Sequence, residues 1–266
     1  MPEGEPHLLV ERDGHVVTLT MNRPERKNAL SSEMLARMDD AWQMIEDDDD
    51  IRVAILTGAG GDFCSGMDLK AFASGMQDDP WTPRFAEDPD LAWKALLRHR
   101  RLGKPLIAAV EGYALAGGTE ILQATDIRIA GESAVFGITE AARGLFPLGG
   151  STVRLRRQIS YTKAMEILLI GEHWPAAEAE RIGLIGRVVP TGTALAAARE
   201  VADKIAANAP LSIKAIKRTV IETEGLTEIE ALAKELEIGQ PIFGTEDAKE
   251  GATAFKEKRP PVYKGK

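Results

Sequence analysis

The sequence predicts a mixed α/β protein, on three observations. Apolar strand-like runs that end in glycine turns alternate with helix-like stretches over the first two thirds of the chain. Beyond Ser160 the pattern is helical. The 266 residues, 44% of them hydrophobic, suffice for one large domain or two small ones with a sizeable core.

The elements follow in order. HLLVERDGHVVTLTMN alternates apolar and polar residues on both sides of Asp13-Gly14, a hairpin signal. A helix is expected from Ser31, with serine as N-cap and Met34, Met38, Trp42 and Ile45 on one face. The acidic run Asp47 to Asp50 reads as a solvated connection rather than a metal site. RVAILTG (52–58) is a buried strand running into the glycine-rich GAGGDFCSGMDL. From about Ala71 to Pro89 the composition is polar and proline-rich, with Trp81 and Phe85 set in it, and this reads as a structureless lid or loop. KPLIAAVEGYAL is one further apolar strand that runs into Gly117-Gly118 and a short helix, TEILQAT. DIRIAG and AVFGI are short strands around Gly131. Helices are expected over YTKAMEILLIG and PAAEAERIG, then over about 194–208, 210–224, 226–239 and 245–258.

Composition excludes several functions. With 41 acidic against 33 basic residues and a net charge of -8, the chain is not built to neutralise a phosphate polymer. One cysteine, Cys64, forms no internal disulfide, and there is no CxxC. The acidic start MPEGEPHLLVERDG lacks the features of a signal peptide, and PLIAAVEGYALAGG is broken by Glu111 and glycines, so the expectation is a cytoplasmic protein with no membrane span. GAGGDFC lacks the third glycine of a dinucleotide fingerprint, and neither a phosphate loop nor a GxSxG elbow is present. The four histidines are scattered, and Cys64 reads as a small buried residue rather than a nucleophile paired with His99.

Two glycine-containing turns follow apolar strands: Ser65-Gly66-Met67-Asp68-Leu69 and Ala116-Gly117-Gly118-Thr119-Glu120. Both present backbone N–H groups near a helix start, where orphan donors and the dipole favour negative charge. They are either two tight turns or, if they converge, an oxyanion hole. Glu120 lies one helical turn after Gly117, and its side chain leans back toward that N–H, within an apolar strand-to-helix unit where a charge is costly unless used. Glu140 also follows an apolar strand, and a salt bridge to Arg143 or Arg154 is the plain alternative for it.

These residues resemble the crotonase superfamily, the enoyl-CoA hydratase/isomerase family. The resemblance spans NRPERKNAL (22–30), GDFCSGMDLK (61–70), the long block from Lys104 to Glu140, LFPLGGSTVRL (145–155), AAEAERIGLIGRVV (176–189) and AFKEKRPP (254–261). It implies a crotonase-like spiral of ββα units over 1–190 and a helical trimerisation section over 191–266, with trimers commonly paired into hexamers. It implies a coenzyme A thioester as substrate, with coenzyme A part of the substrate and no separate cofactor or metal. The family's oxyanion hole maps onto the N–H groups of Met67 and Gly117, and its two hydratase glutamates map onto Glu120, which orients and deprotonates water, and Glu140, which serves the proton at C2. Coenzyme A contacts map onto Arg26, Lys27 and Ala29, onto Ser65, Gly66, Asp68 and Leu69, onto Gly118, and onto Phe255 and Lys258, the last two sometimes from another subunit.

Both glutamates together favour water addition to a trans-2-enoyl-CoA. The alternatives are a double-bond isomerase, a carnitinyl-CoA-type dehydratase/racemase, or a silent acyl-CoA-binding trimer. Met67 stands where many hydratases have alanine, and Leu148 where many have glycine. The 71–93 segment matches the variable region that lines the acyl pocket. The block from Gly118 to Ala141 looks closest to actinobacterial hydratases, which include enzymes of sterol side-chain degradation.

Overall fold

The computed structural model describes residues 4–69 and 79–266. Its main sheet has six strands in the order β1-β2-β3-β4-β6-β9: β1 (Leu8–Asp13), β2 (Val16–Met21), β3 (Val53–Gly58), β4 (Leu106–Val110), β6 (Ile127–Gly131) and β9 (Arg187–Val189). β1 and β2 form the hairpin expected at Asp13-Gly14, and every later neighbour pair is parallel. A smaller sheet holds β5 (Tyr113–Leu115), β7 (Val135–Gly137) and β8 (Trp174–Pro175). Two isolated parallel bridges, Leu30 to Met67 and Cys64 to Ala114, extend this second layer.

The two layers make a spiral. Each turn sends a strand into the main sheet, crosses to the second layer, and returns through helix. β2 is followed by Leu30 and then α1 (Ser32–Asp47); β3 is followed by Cys64 to Met67. β4 leads to β5 and α4 (Gly117–Leu122), and β6 leads to β7 and Glu140. α2 (Thr82–Glu87) and α3 (Leu91–Ala95) lie between the second and third turns.

The central strands β3 and β4 are buried on both faces, so they read as continuous apolar runs rather than alternating ones. Val17, Leu19, Ala54, Leu56, Leu106 and Ala108 face an inner core that also holds Met34, Met38, Trp42 and Ile45 of α1. The alternate residues, Val16, Val53, Ile55, Ile107 and Ala109, face outward and are covered by Ala194, Ala198, Ala202 and Ala206. Those alanines recur every four residues along α8 (Ala194–Ala206), and a stripe of small side chains lets the helix lie close against the sheet.

Two expectations are corrected. KPLIAAVEGYAL is not one strand: Gly112, at φ +50°, breaks it into β4 and β5, which belong to different sheets. The 71–89 stretch is not structureless throughout, because Thr82–Glu87 is helical, started by Pro83 and tied to α1 by Arg84 and Asp40 at 2.7 Å. Positions 71–78 of that expected lid lie outside the described residues.

The remaining helices are α5 (Ser151–Gln158), α6 (Tyr161–Ile170), α7 (Ala176–Arg181), α9 (Pro210–Glu222), α10 (Glu228–Gly239) and α11 (Glu246–Glu257). The acidic run at Asp47 to Asp50 is a connection, with Asp48 paired to Arg12 and Asp49 to Lys214; no metal-binding group of His, Cys, Asp or Glu occurs among the described residues. No described helix is long and apolar enough to cross a membrane.

Candidate active site

The C-terminal ends of β3, β4 and β6 run into the segments that carry the site. Leu30 donates its N–H to Gly66 O at 2.8 Å and accepts from the Asp68 N–H at 3.2 Å. In a parallel bridge of this kind the N–H of the intervening residue, Met67, points away from Leu30 and toward the neighbouring β5 side. β5 pairs with Cys64 on that side, but at Ala116 the chain leaves the ladder. Ala116 holds φ +49°, fixed by its own N–H on Gly137 O at 2.7 Å and by the Glu120 N–H on its carbonyl. A left-handed alanine costs about 1–3 kcal/mol, and here it aims the next N–H, that of Gly117, at the same space.

The two donors therefore converge. A Cβ placed on Gly66 would lie 3.3 Å from the Gly117 nitrogen, and one placed on Gly117 would lie 3.9 Å from the Met67 nitrogen. Among the described residues neither N–H has an acceptor. Gly118 packs so tightly on the strand below that a Cβ would meet Cys64 O at 2.3 Å. Cys64 is the floor of this turn, buried with its thiol pushed up to about 12 by desolvation, and is no nucleophile at neutral pH.

Glu120, in the first turn of α4, is 4% exposed. Its Oε1 accepts the N–H of Ser151 at 3.2 Å, and Ser151 is the first residue of α5, so the carboxylate caps the positive end of that helix. A Cβ on Gly149 would meet Oε2 at 2.6 Å. Burial pushes the Glu120 pKa up, while the donors of Ser151, Gly149 and Gly150 pull it back.

Glu140 is 8% exposed and has the opposite surroundings: its Oε2 has no hydrogen-bond partner. Burial first, and then the nearby charge of Glu120, push it to about 7. Arg143 donates to Thr139 O and Arg154 to Leu97 O and Gly149 O, so neither makes the salt bridge that is the plain alternative for Glu140. Burial raises both carboxyls; Glu120 has backbone donors that pull against it, whereas Glu140 has none on Oε2 and is raised to about 7.

Beside these groups, Met67, Leu69, Leu145, Phe146 and Leu148 are exposed apolar side chains. Arg26 and Lys27 sit at an exposed turn above the Ser65 segment: Ser65 donates its N–H to Lys27 O at 3.0 Å and its hydroxyl to Arg26 O at 3.3 Å. Lys27 Nζ lies 4.0 Å from the centre of the Tyr113 ring. Ala29 is buried and its carbonyl accepts from Arg23, which also pairs with Asp68 at 3.1 Å. Phe255 and Lys258 stand apart. Phe255 is 88% exposed, and the tail beyond Lys258 is pinned by Tyr263 O on Arg52, at the opposite end of β3 from Gly58. Within one chain, no hydrogen bond or ion pair among the described residues joins either to the Arg26 or Ser65 segments.

Sequence reasoning missed Ser151 and Gly149 as the partners of Glu120 and Ala116 as the strained hinge of the donor turn. The signal for the first was present in GGST, a glycine pair before a helix start, but nothing local pairs it with a glutamate 31 positions earlier.

Comparison with known proteins identifies the family and the fold. The family model described as enoyl-CoA hydratase/isomerase matches residues 11–266. The chain is 54% identical to the enoyl-CoA hydratase EchA19 of Mycobacterium tuberculosis, over 99% of this chain and 98% of that one. It is 39% identical to the short-chain-enoyl-CoA hydratase of Clostridium acetobutylicum, with 95% of each chain covered. The crystal structure of an enoyl-CoA hydratase from Mycobacterium tuberculosis superposes with a TM-score of 0.88 at 42% identity, covering 98% of this chain and 100% of that one. With a spiral of paired sheets, two converging N–H donors and two buried glutamates at its centre, the chain belongs to the enoyl-CoA hydratase/isomerase family.

Proposed function

We propose that this protein is an enoyl-CoA hydratase, which adds water reversibly across the double bond of a trans-2-enoyl-CoA to give a 3-hydroxyacyl-CoA. The observation that carries this is the contrast between the two glutamates: Glu120 on the N–H of Ser151, and Glu140 with an unpartnered oxygen and a pKa of about 7.

The thioester oxygen sits between the Met67 and Gly117 N–H groups. The water oxygen attacks C3 while the Glu120 carboxylate takes the water proton. The π pair of C2=C3 moves toward the thioester, and the enolate charge develops on the oxygen that faces the two donors. Preformed donors of this kind are each worth about 3–4 kcal/mol in the transition state. The carboxyl of Glu140 then gives its proton to C2, and exchange with solvent restores both groups. Every proton and electron pair is accounted for without a metal or redox group.

The exposed apolar residues beside the site suit an acyl chain, and Arg26 and Lys27 suit the phosphates of coenzyme A. An assembly of several copies is part of the same reading. Ile216 and Val220 of α9, Ile229, Leu232 and Leu236 of α10, and Phe243 beyond them are large apolar side chains left exposed. Second copies of the chain cover such a surface in a trimer or hexamer, which would also bring the partner subunit's Phe255 and Lys258 toward the coenzyme A segments.

The test is the ultraviolet absorbance of the conjugated thioester, followed with short, long and ring-bearing enoyl-CoA compounds. Loss of absorbance with a 3-hydroxyacyl-CoA product supports hydration and begins to size the acyl site. A shifted double bond instead identifies an isomerase.

A further inference from the structure

Arg154 is a buried cation at the wrong end of a helix. It is the fourth residue of α5, and helical side chains lean toward the N-terminus, so its guanidinium turns back beneath Gly149 and Gly150. A Cβ on Gly150 would lie 3.3 Å from Nη1. Nη1 donates to Gly149 O at 3.5 Å and Nη2 donates to Leu97 O, from a residue that itself holds φ +53°. The residue is 8% exposed, and no carboxylate lies at ion-pair distance from it among the described residues.

A positive charge in the first turn opposes the helix dipole, and a buried charge without a partner is costly. Two uncharged carbonyls offset little of that. What lies on the far side of the Gly149–Ser151 turn is the Glu120 carboxylate, held by the Ser151 N–H at 3.2 Å. The same backbone turn thus has an anion on one face and a cation on the other.

We propose that Arg154 is a positioning residue that decides which of the two carboxyls is ionised: lying behind the turn that holds Glu120, it keeps Glu120 as the carboxylate and leaves the proton on Glu140. This rests on the hydratase reading above. The charged groups around Arg154 are Arg101, Arg98 and the buried Arg128, which oppose its charge, and Glu120 and Glu224, which favour it. Glu140 faces Glu120 on one side and Arg143 on the other. Arg154 is thus a buried cation behind the turn that seats Glu120, attracted by its charge, and on this proposal removing it lets the proton move from Glu140 to Glu120.

The experiment is the pH dependence of kcat and kcat/KM for hydration by the full chain, for wild type, Arg154→Met and Arg154→Lys. In Arg154→Met the acid limb of kcat/KM moves up by about one pH unit and kcat at pH 7 falls about tenfold, with KM changed less than about threefold. Arg154→Lys keeps the charge, so its acid limb stays with wild type and most of kcat returns. A purely structural role gives loss at every pH with the limb unmoved and no rescue by lysine, and that overturns the proposal. If Arg154→Met does not fold, Arg154→Lys decides alone: near-wild-type kcat with the wild-type limb supports the charge role, and a folded variant whose kcat is lowered at least about tenfold at every pH overturns it. Wild-type protein inert on every enoyl thioester brings down the hydratase reading, whereas active wild type with an unmoved Arg154→Met limb brings down only this inference.

Discussion

A Cβ on Gly117 would sit 3.9 Å from the backbone nitrogen of Met67 and 3.1 Å from Leu30 Cδ1. The space between the two donors is therefore one that only glycine at 117 leaves open. Gly117 does not hold a positive φ, and the nearest neighbour of the added methyl is the end of a leucine side chain. Gly117→Ala should fold with stability within about 1 kcal/mol of wild type, yet lose about a hundredfold in kcat, since the methyl crowds the oxyanion. Thermal unfolding and steady-state kinetics on the same sample check both halves.

Each glutamate has a separable signature. Glu120→Gln and Glu140→Gln should each lower kcat by about 10²–10⁴, the range for a lost general acid or base. In wild type, kcat/KM should fall as pH rises through about 7, where Glu140 loses the proton it must deliver. A pH–rate profile with no basic limb in that region would contradict the role given to Glu140.

The same shift has a consequence for stability. The folded-state pKa of Glu140 is raised from 4.5 to about 7, so its contribution is intact below pH 4.5 and is lost as pH rises through 7. At 1.36 kcal/mol per unit, wild type should lose about 3 kcal/mol from this one group over that window. Glu140→Gln cannot ionise. It should therefore be more stable than wild type at pH 8, and the difference should shrink toward pH 5, as read by denaturant unfolding at the two values.

Gly149 tests the seat of Glu120. A methyl there would meet Oε2 at 2.6 Å, so Gly149→Ala must push the carboxylate off the Ser151 N–H or open the turn. The expected result is a loss in kcat of at least about tenfold with little change in KM, the mark of an interaction made mainly in the transition state.

The exposed row on α10 tests assembly. Leu232→Glu places a charge among Ile229 and Leu236, and light scattering should then report the 28.8 kDa of one chain where wild type reports a multiple of it.

Local chemistry made much of this legible. Ser31 caps α1 through the Met34 N–H at 3.2 Å, and the buried face it predicts, Met34 to Ile45, is the face observed. The glutamates and the two glycine turns were also visible, because a charge or a glycine in an apolar run is a local anomaly. What was not legible is whatever two distant segments make together. The second layer of the spiral is built partly from single bridges such as Leu30 to Met67, which have no strand periodicity to read. The switch of sheets at Gly112 is not legible, because Glu111-Gly112 interrupts the apolar run without saying that β4 and β5 pair in different sheets. The helix end that receives Glu120 belongs to a different turn of the spiral, so the unequal surroundings of the two carboxyls emerge only in the folded chain.

The most direct measurement is the hydration of an enoyl-CoA substrate in H₂¹⁸O, with the product analysed by mass spectrometry for wild type and Glu120→Gln. The account predicts a 3-hydroxyacyl-CoA from wild type carrying ¹⁸O at C3, and almost none from the variant. A wild-type product with a shifted double bond and no label, or full labelling by Glu120→Gln, would contradict it.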